Sequence, residues 1–121
     1  MKDQRIYISG KITGLDWPQC KALFRVAYNE LAAYCQVAPN NIISPIGMGE
    51  TYGMQLGYDD IMHLDLALLD RCDAIYMLEN HMDSPGAQKE LAHAQALGLD
   101  IYYQTDIRKS RRNNNHDEER A

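Results

Sequence analysis

The sequence predicts an α/β fold, with a mostly parallel sheet carrying helices on both faces. Two observations predict it. Short runs rich in β-formers alternate with helical segments in the order β-α-β-loop-α-β-α-β, the pattern of crossover units joined by right-handed connections. One run, Ala74-Ile75-Tyr76-Met77-Leu78, is apolar without a break over the length of a strand, as strands covered on both faces are.

Each element has its own signals. Gln4-Arg5-Ile6-Tyr7-Ile8-Ser9 reads as a strand stopped by Gly10, and Gly10-Lys11-Ile12-Thr13-Gly14 as a glycine-bounded loop. Asp16 is a candidate N-cap with Pro18 in the first turn, and Leu23, Ala27, Leu31 and Tyr34 recur at helical spacing. Pro39-Asn40-Asn41 is a turn before the brief strand Ile42-Ile43, which Ser44-Pro45 ends. Residues 46–57 hold four glycines and no clear period, which predicts a long loop of the kind that forms lids or binding loops.

A second helix runs from Tyr58 or Asp59 to about Cys72. It is apolar on more than one side, with Ile61, Leu64 and Leu68 in one row and Met62, Leu66 and Leu69 in another. Such a helix packs on two neighbours, for example the sheet and a partner subunit, so at least a homodimer is expected. Ser84 caps a third helix with Pro85 at its first position. Leu91, Ala94 and Leu97 mark its course, and Gly98 ends it. Leu99-Asp100-Ile101-Tyr102-Tyr103 is the last clear strand, and no repeat is visible.

The size of the chain, 121 residues and 13.8 kDa, allows one ordinary domain. Its 45% hydrophobic and 24% charged residues are a globular composition. No apolar run approaches the ~20 residues of a membrane helix, and no cationic start leads into a signal-peptide core, so no membrane association and a cytoplasmic location are expected. Cys20, Cys35 and Cys72 are odd in number and lack a C-x-x-C pair, which favours free thiols over a disulfide framework or zinc ribbon. The net charge of −5 is divided: residues 1–107 carry −7 and residues 108–121 carry +2. An acidic body argues against a nucleic-acid partner. The expected domain is therefore 1–106, followed by a disordered polar tail over 107–121, whose composition offers little apolar surface to bury.

Ligands of doubly wound sheets sit beyond the carboxyl ends of the strands, at the switch point. That rule selects Gly10–Gly14, the 46–57 loop and Glu79–Gly86. Ser84-Pro85-Gly86 opens a helix after a buried strand, so it is either an ordinary cap or a phosphate site at the helix dipole's positive end. Ser9-Gly10-Lys11 is a similar turn with a cation at hand, but it is neither a P-loop nor a dinucleotide fingerprint. Glu90 stands one helical turn after Gly86 on the same face: either a solvated carboxylate or one that looks toward what the helix mouth holds. Asp65 lies between Leu64 and Leu66 in the most apolar helix, so it is at a helix edge or held by partners for a purpose. Glu79 ends the central strand where a ligand contact belongs. His63, His81, His93 and His116 fall in separate elements, so no metal site is expected. A Ser-His-Asp triad lacks its G-x-S-x-G elbow.

Three motifs taken together carry a resemblance: Ile6-Tyr7-Ile8-Ser9-Gly10-Lys11-Ile12-Thr13-Gly14; Asp65-Leu66 eight residues ahead of Asp73; and Ser84-x-Gly86-x-x-x-Glu90-Leu91-x-x-Ala94. The set, over residues 5–103, resembles the nucleoside 2-deoxyribosyltransferase-like superfamily. That group includes the transferases and the 2′-deoxynucleoside 5′-phosphate N-hydrolases, and the match is nearest to a small branch frequent in bacteria and their phages. The resemblance implies a flavodoxin-like (Rossmann-like) three-layer fold with a four- to five-stranded parallel sheet. It implies that Glu90 attacks C1′ of a deoxyribose and expels the base, with Asp65 orienting it and Tyr7 close to the sugar. Ser84, Gly86 and the first loop (Ser9, Gly10, Lys11, Gly14) would hold the sugar or 5′-phosphate side. Glu79-Asn80-His81 stands where relatives of that branch carry a Pro-Gly-Trp-like turn, which makes His81 a candidate to stack on the base and Glu79 a candidate contact.

The expected function is cleavage of the N-glycosidic bond of a deoxynucleoside or its 5′-monophosphate, by hydrolysis or base exchange, with no cofactor and no metal. The expected partners are that small molecule and further copies of the chain. The alternatives are a module that binds or sequesters a nucleotide-like signal without cleaving it, and an oligomeric scaffold with a vestigial pocket. Fold resemblance does not choose among the three.

Overall fold

The structure, a computed structural model, describes residues 1–47, 50 and 55–120, and for 113–120 the backbone alone. Four strands form one parallel sheet: β1 (Ile6–Ser9), β2 (Ile42–Ile43), β3 (Ala74–Met77) and β4 (Asp100–Tyr103). Their order is β2-β1-β3-β4, with Ile6 to Ser9 opposite Ala74 to Met77 and those in turn opposite Asp100 to Tyr103. Helices cover both faces, giving the flavodoxin-like three-layer arrangement that the alternation of elements predicts. The strand order reverses between β1 and β3, so the switch point lies at the carboxyl ends of these two strands.

Strand alternation sorts the side chains. Ile6 and Ile8 of β1, with Ala74, Tyr76 and Leu78 on or just after β3, face helix α1 (Trp17–Asn29) and pack on Cys20, Phe24, Ala27 and Leu31. Tyr7 of β1, with Ile75 and Met77 of β3, faces the other way. It packs with α2 (Tyr58–Leu69) and α3 (Pro85–Leu97) through Leu69, Ala87 and Ala94. Ser9, two residues after Tyr7, shares that second face. Burying these four-residue strands completely leaves their apolar side chains, at roughly 25 cal/mol per Å² of surface removed from water, as the main source of stability.

The caps are those the residues dictate. The Asp16 carboxylate accepts from the Gln19 N–H at 3.2 Å, and Ser84 Oγ accepts from the Ala87 N–H at 3.0 Å. Gly98 takes a left-handed conformation, φ +74°, and closes α3. The core stripe of α1 differs from the expected one: Phe24 is buried and Leu23 is about a third exposed, because the helix presents its 20/24/27/31 row to the sheet. Beyond Asn29 the chain adds a π-helical turn, Glu30–Tyr34, in place of continued α-helix. Of the 46–57 segment expected to be a binding loop, residues 48, 49 and 51–54 lie outside the described residues.

The chain continues as a helix after β4, α4 (Gln104–Arg120), where the sequence reading has a disordered tail from residue 107. Its first turns have anchors on the body that composition alone does not reveal. Ile107 packs against the α1-side core, and buried Gln104 donates from Nε2 to Glu30 Oε1 at 2.6 Å. Arg108 Nε donates to Glu30 Oε2 at 2.9 Å. Among the described residues no helix is long and apolar enough to cross a membrane.

Candidate active site

A cavity of about 340 Å³ opens at the switch point. The loop after β1 contributes Gly10, Ile12 and Thr13 to its lining. Helix α2 contributes Tyr58, Ile61, Met62 and Asp65, and the first turns of α3 contribute Ser84, Gly86, Lys89 and Glu90. Tyr7 and Ser9, at the carboxyl end of β1, are buried behind this lining and reach it through Glu90.

Glu90 is the centre of the polar arrangement. It is only 5% exposed and lines the cavity. The Tyr7 hydroxyl donates to its Oε2 at 2.5 Å, and Ser9 Oγ donates to its Oε1 at 2.7 Å. The alternation of β1 makes this two-point grip: residues two apart share a face, and each holds one carboxylate oxygen. Burial pushes the Glu90 carboxyl above its ordinary value, while the hydrogen bonds from Tyr7 and Ser9 pull it back down. The phenol of Tyr7 is pushed well up, first by burial and then by the nearby Glu90 and Asp65 charges, so it stays a donor.

Asp65 lies beside this pair, 4% exposed. Its Oδ1 is buried with no hydrogen-bond partner among the described residues. Burial, and next the charge of Glu90, raise its carboxyl to about 7. The cavity thus holds two carboxyl groups of different character: one gripped by two donors, the other free to carry a proton or to meet a donor from a ligand.

Ser84 and Gly86 stand at the mouth of α3, facing the cavity. Ser84 is buried and serves as the N-cap, and it also lines the cavity, so the expected cap is present at this turn. A side chain at Gly86 would come within 3.2 Å of the Tyr58 hydroxyl and 3.3 Å of Met62 Cε.

The structure brings Gly10, Asp65, Ser84, Gly86 and Glu90 to the lining of one hollow, with Tyr7 and Ser9 buried behind it and joined to it through Glu90. It sets the other candidates elsewhere. Lys11 is outside the cavity lining, and its backbone N–H donates to Asn80 Oδ1 at 3.0 Å. Gly14 is exposed in a left-handed turn, φ +91°. Glu79 is outside the cavity lining, its carboxylate 2.9 Å from Nη1 of Arg108 on α4. His81 sits in a short 3-10 turn, its Nδ1 2.7 Å from Leu78 O and its ring centroid 5.5 Å from that of Tyr103. Gly10 has a packing role beside its place in the lining: a Cβ there would meet Leu78 at 2.6–2.9 Å.

Tyr58 and Lys89 line the cavity and were not among the expected site residues, and Thr13 lines it from within the expected Gly10–Gly14 segment. Lys89 sits within Gln88-Lys89-Glu90, which reads as a solvated face, and Tyr58 opens a helix whose apolar rows suggest packing. The usable signal was spacing: Lys89 lies three residues after Gly86, on the same side of α3. Among the described residues no group of three or more His, Cys, Asp or Glu could hold a metal ion.

The family model described as "Domain of unknown function (DUF4406)" matches residues 4–103, and the chain belongs to that family. Comparison with curated proteins and with solved structures finds no match.

Proposed function

We propose that this DUF4406 chain is an N-glycosidase or deoxyribosyltransferase that cleaves the bond between base and sugar in a deoxynucleoside or its 5′-monophosphate, with Glu90 as nucleophile. The observation that carries the reading is the Glu90 carboxylate itself: buried, held by Tyr7 and Ser9, and open to a cavity at the switch point. The three sequence motifs that resemble the nucleoside 2-deoxyribosyltransferase-like superfamily support it, since Tyr7, Asp65 and Glu90 come from all three and meet here.

The chemistry follows from charge. Breaking an N-glycosidic bond builds positive charge on the sugar ring, and a fixed carboxylate beneath it stabilises that charge. A Glu90 oxygen forms a bond to C1′ as the C1′–N bond breaks and its electron pair passes to the base nitrogen. The leaving base takes up a proton, and Asp65, with a carboxyl near 7, is the group placed to supply it. Water then attacks C1′, the pair in the C1′–O bond returns to Glu90, and the water proton passes to Asp65. A second base in place of water gives exchange. The pre-aimed hydroxyls of Tyr7 and Ser9 keep the carboxylate oriented through both steps.

The test is incubation with a panel of deoxynucleosides and their 5′-monophosphates, with and without an acceptor base, reading free base by chromatography. Release that disappears in Glu90→Gln, while that variant still binds the ligand, is the expected result. Unchanged turnover in Glu90→Gln ends the assignment. Tight binding with no release from wild type identifies a binding module instead.

A further inference from the structure

The rim of the cavity has an asymmetry, and Lys89 and Tyr58 on it have no part in the roles given to Glu90 and Asp65. Its inner end carries Asp65 and Glu90, both carboxylic. Its outer end, at the mouth of α3, gathers donors. The Tyr58 hydroxyl lies 3.2 Å from where a Gly86 Cβ would be, and Lys89 Nζ lies 5.2 Å from the centroid of the Tyr58 ring. Of the first N–H groups of α3, Pro85 has none and Ala87 donates to Ser84, while that of Gly86, a lining residue, has no partner among the described residues. Lys89 is the one cationic side chain among the described lining residues.

The buried, unpartnered Oδ1 of Asp65 in the same cavity points independently to a ligand that brings a donor to the inner end. The two ends therefore call for one molecule with a donor or cationic centre at one side and an anion at the other. At about 1.5 Å of rise per residue, Glu90 lies about 6 Å along α3 from Gly86, comparable to the span of a pentose from its anomeric carbon to its 5′ substituent.

Resting on the reading of Glu90 as nucleophile, we infer that Lys89, parked over Tyr58, is the residue by which this site selects a 5′-monophosphate over the uncharged nucleoside. In the structure the ammonium lies over the ring face, where the aromatic quadrupole holds it. With a phosphate at the mouth of α3 it pairs with the dianion, beside the Tyr58 hydroxyl and the Gly86 N–H. The ring keeps the charge near the mouth and away from the two carboxylates, which would otherwise capture it.

The experiment measures affinities for a 2′-deoxynucleoside 5′-monophosphate and for the same deoxynucleoside by calorimetry, in Glu90→Gln and in Glu90→Gln carrying Lys89→Met, Lys89→Arg or Tyr58→Phe. The expected result is a monophosphate preference that falls roughly 10- to 100-fold in Lys89→Met and is largely kept in Lys89→Arg. The preference should also shrink with added salt, because the rim is exposed. A preference unchanged in Lys89→Met, or no preference in the parent, overturns the inference. The two readings separate cleanly. Base release from both ligands with no Lys89-dependent preference defeats the inference and keeps the glycosidic assignment. A Lys89-dependent preference with no base release from wild type does the reverse.

Discussion

Tyr7 and Glu90, 83 residues apart in the chain, are joined by a 2.5 Å hydrogen bond from phenol to carboxylate inside the protein. The bond ties β1 to the first turns of α3 beside the cavity that Glu90 lines. It fixes the carboxylate's rotamer, and it keeps an acid that burial would neutralise closer to its ionised form.

Removing that donor should separate stability from chemistry. Tyr7→Phe leaves Glu90 Oε2 without its partner in a buried place, at a cost of about 1–3 kcal/mol to folding. The hydrogen bond lowers the Glu90 carboxyl, so its loss raises it, and the acidic limb of the rate profile moves to higher pH. Urea unfolding and a pH–rate profile of base release measure the two effects on one protein. A limb that stays in place would mean that Glu90 is not the ionising group.

Asp65 gives the pH dependence of stability a defined sign. Its carboxyl stands at about 7 in the folded chain against an ordinary 3.8. Between those values the folded state holds the proton more tightly than the unfolded chain does. The stabilisation is complete below about pH 4 and is lost as pH rises through about 7, at up to about 1.4 kcal/mol per pH unit. Glu90, raised in the same direction, adds to the slope. Asp65→Asn should flatten stability over this window and stand above wild type at pH 8 in urea melts. If Asp65 supplies the proton to the leaving base, activity should also fall as pH passes about 7, and Asp65→Asn should lose that alkaline limb.

The elements were legible because their causes are local or periodic, and the centre of the candidate site through the three motifs that carry the resemblance. Asp16, Ser84 and Gly98 mark helix ends by their own chemistry, and the unbroken run from Ala74 marks a strand covered on both faces. Tyr7 and Ser9 share a face by strand alternation, and Glu90 follows Gly86 by one turn. What was not legible depends on partners distant in sequence. Glu79 ends the central strand as a ligand contact should, yet Arg108, on a helix whose composition reads as a tail, takes its carboxylate. Lys89 belongs to a polar run, and periodicity cannot tell a face turned to bulk water from one turned to a cavity rim. Gly10 reads as a strand stop in a ligand-holding loop, and that Leu78 leaves it no room for a side chain depends on packing distant in sequence.

The docking of α4 rests on Glu30, which is buried and accepts from Gln104 and Arg108. Arg108→Ala should leave one Glu30 oxygen with a net loss of a charge-assisted bond. Because Arg108 is itself about a third exposed, the cost is about 1–2 kcal/mol rather than that of a fully buried pair. Adding Glu30→Gln should recover part of it, since a neutral amide no longer demands a cation. The measurement is a double-mutant cycle of unfolding free energies, and additivity of the two changes would show that the pair is not coupled.

Gly10→Ala tests whether the first loop is tight for packing or for a ligand. The new methyl would lie 2.6–2.9 Å from Leu78 Cδ1, Cγ and Cβ. Leu78 is only 3% exposed, and its Cβ is fixed to the backbone, so rotation of the side chain alone does not clear the overlap. Overpacking of this kind costs about 1–3 kcal/mol. Leu78→Ala alone opens a hole on the α1 side of the sheet and costs about 2–4 kcal/mol. Leu78→Ala removes the Cδ1 and Cγ contacts and keeps the Cβ contact at 2.9 Å, so if the clash with Leu78 is what forbids a side chain at residue 10, the two changes together should be less destabilising than their sum by about 0.5–1 kcal/mol. If they simply add, and Gly10→Ala folds as well as wild type but binds deoxynucleotides poorly, the glycine is there for the ligand. Unfolding free energies of the three variants, with nucleotide binding measured on those that fold, decide between the two.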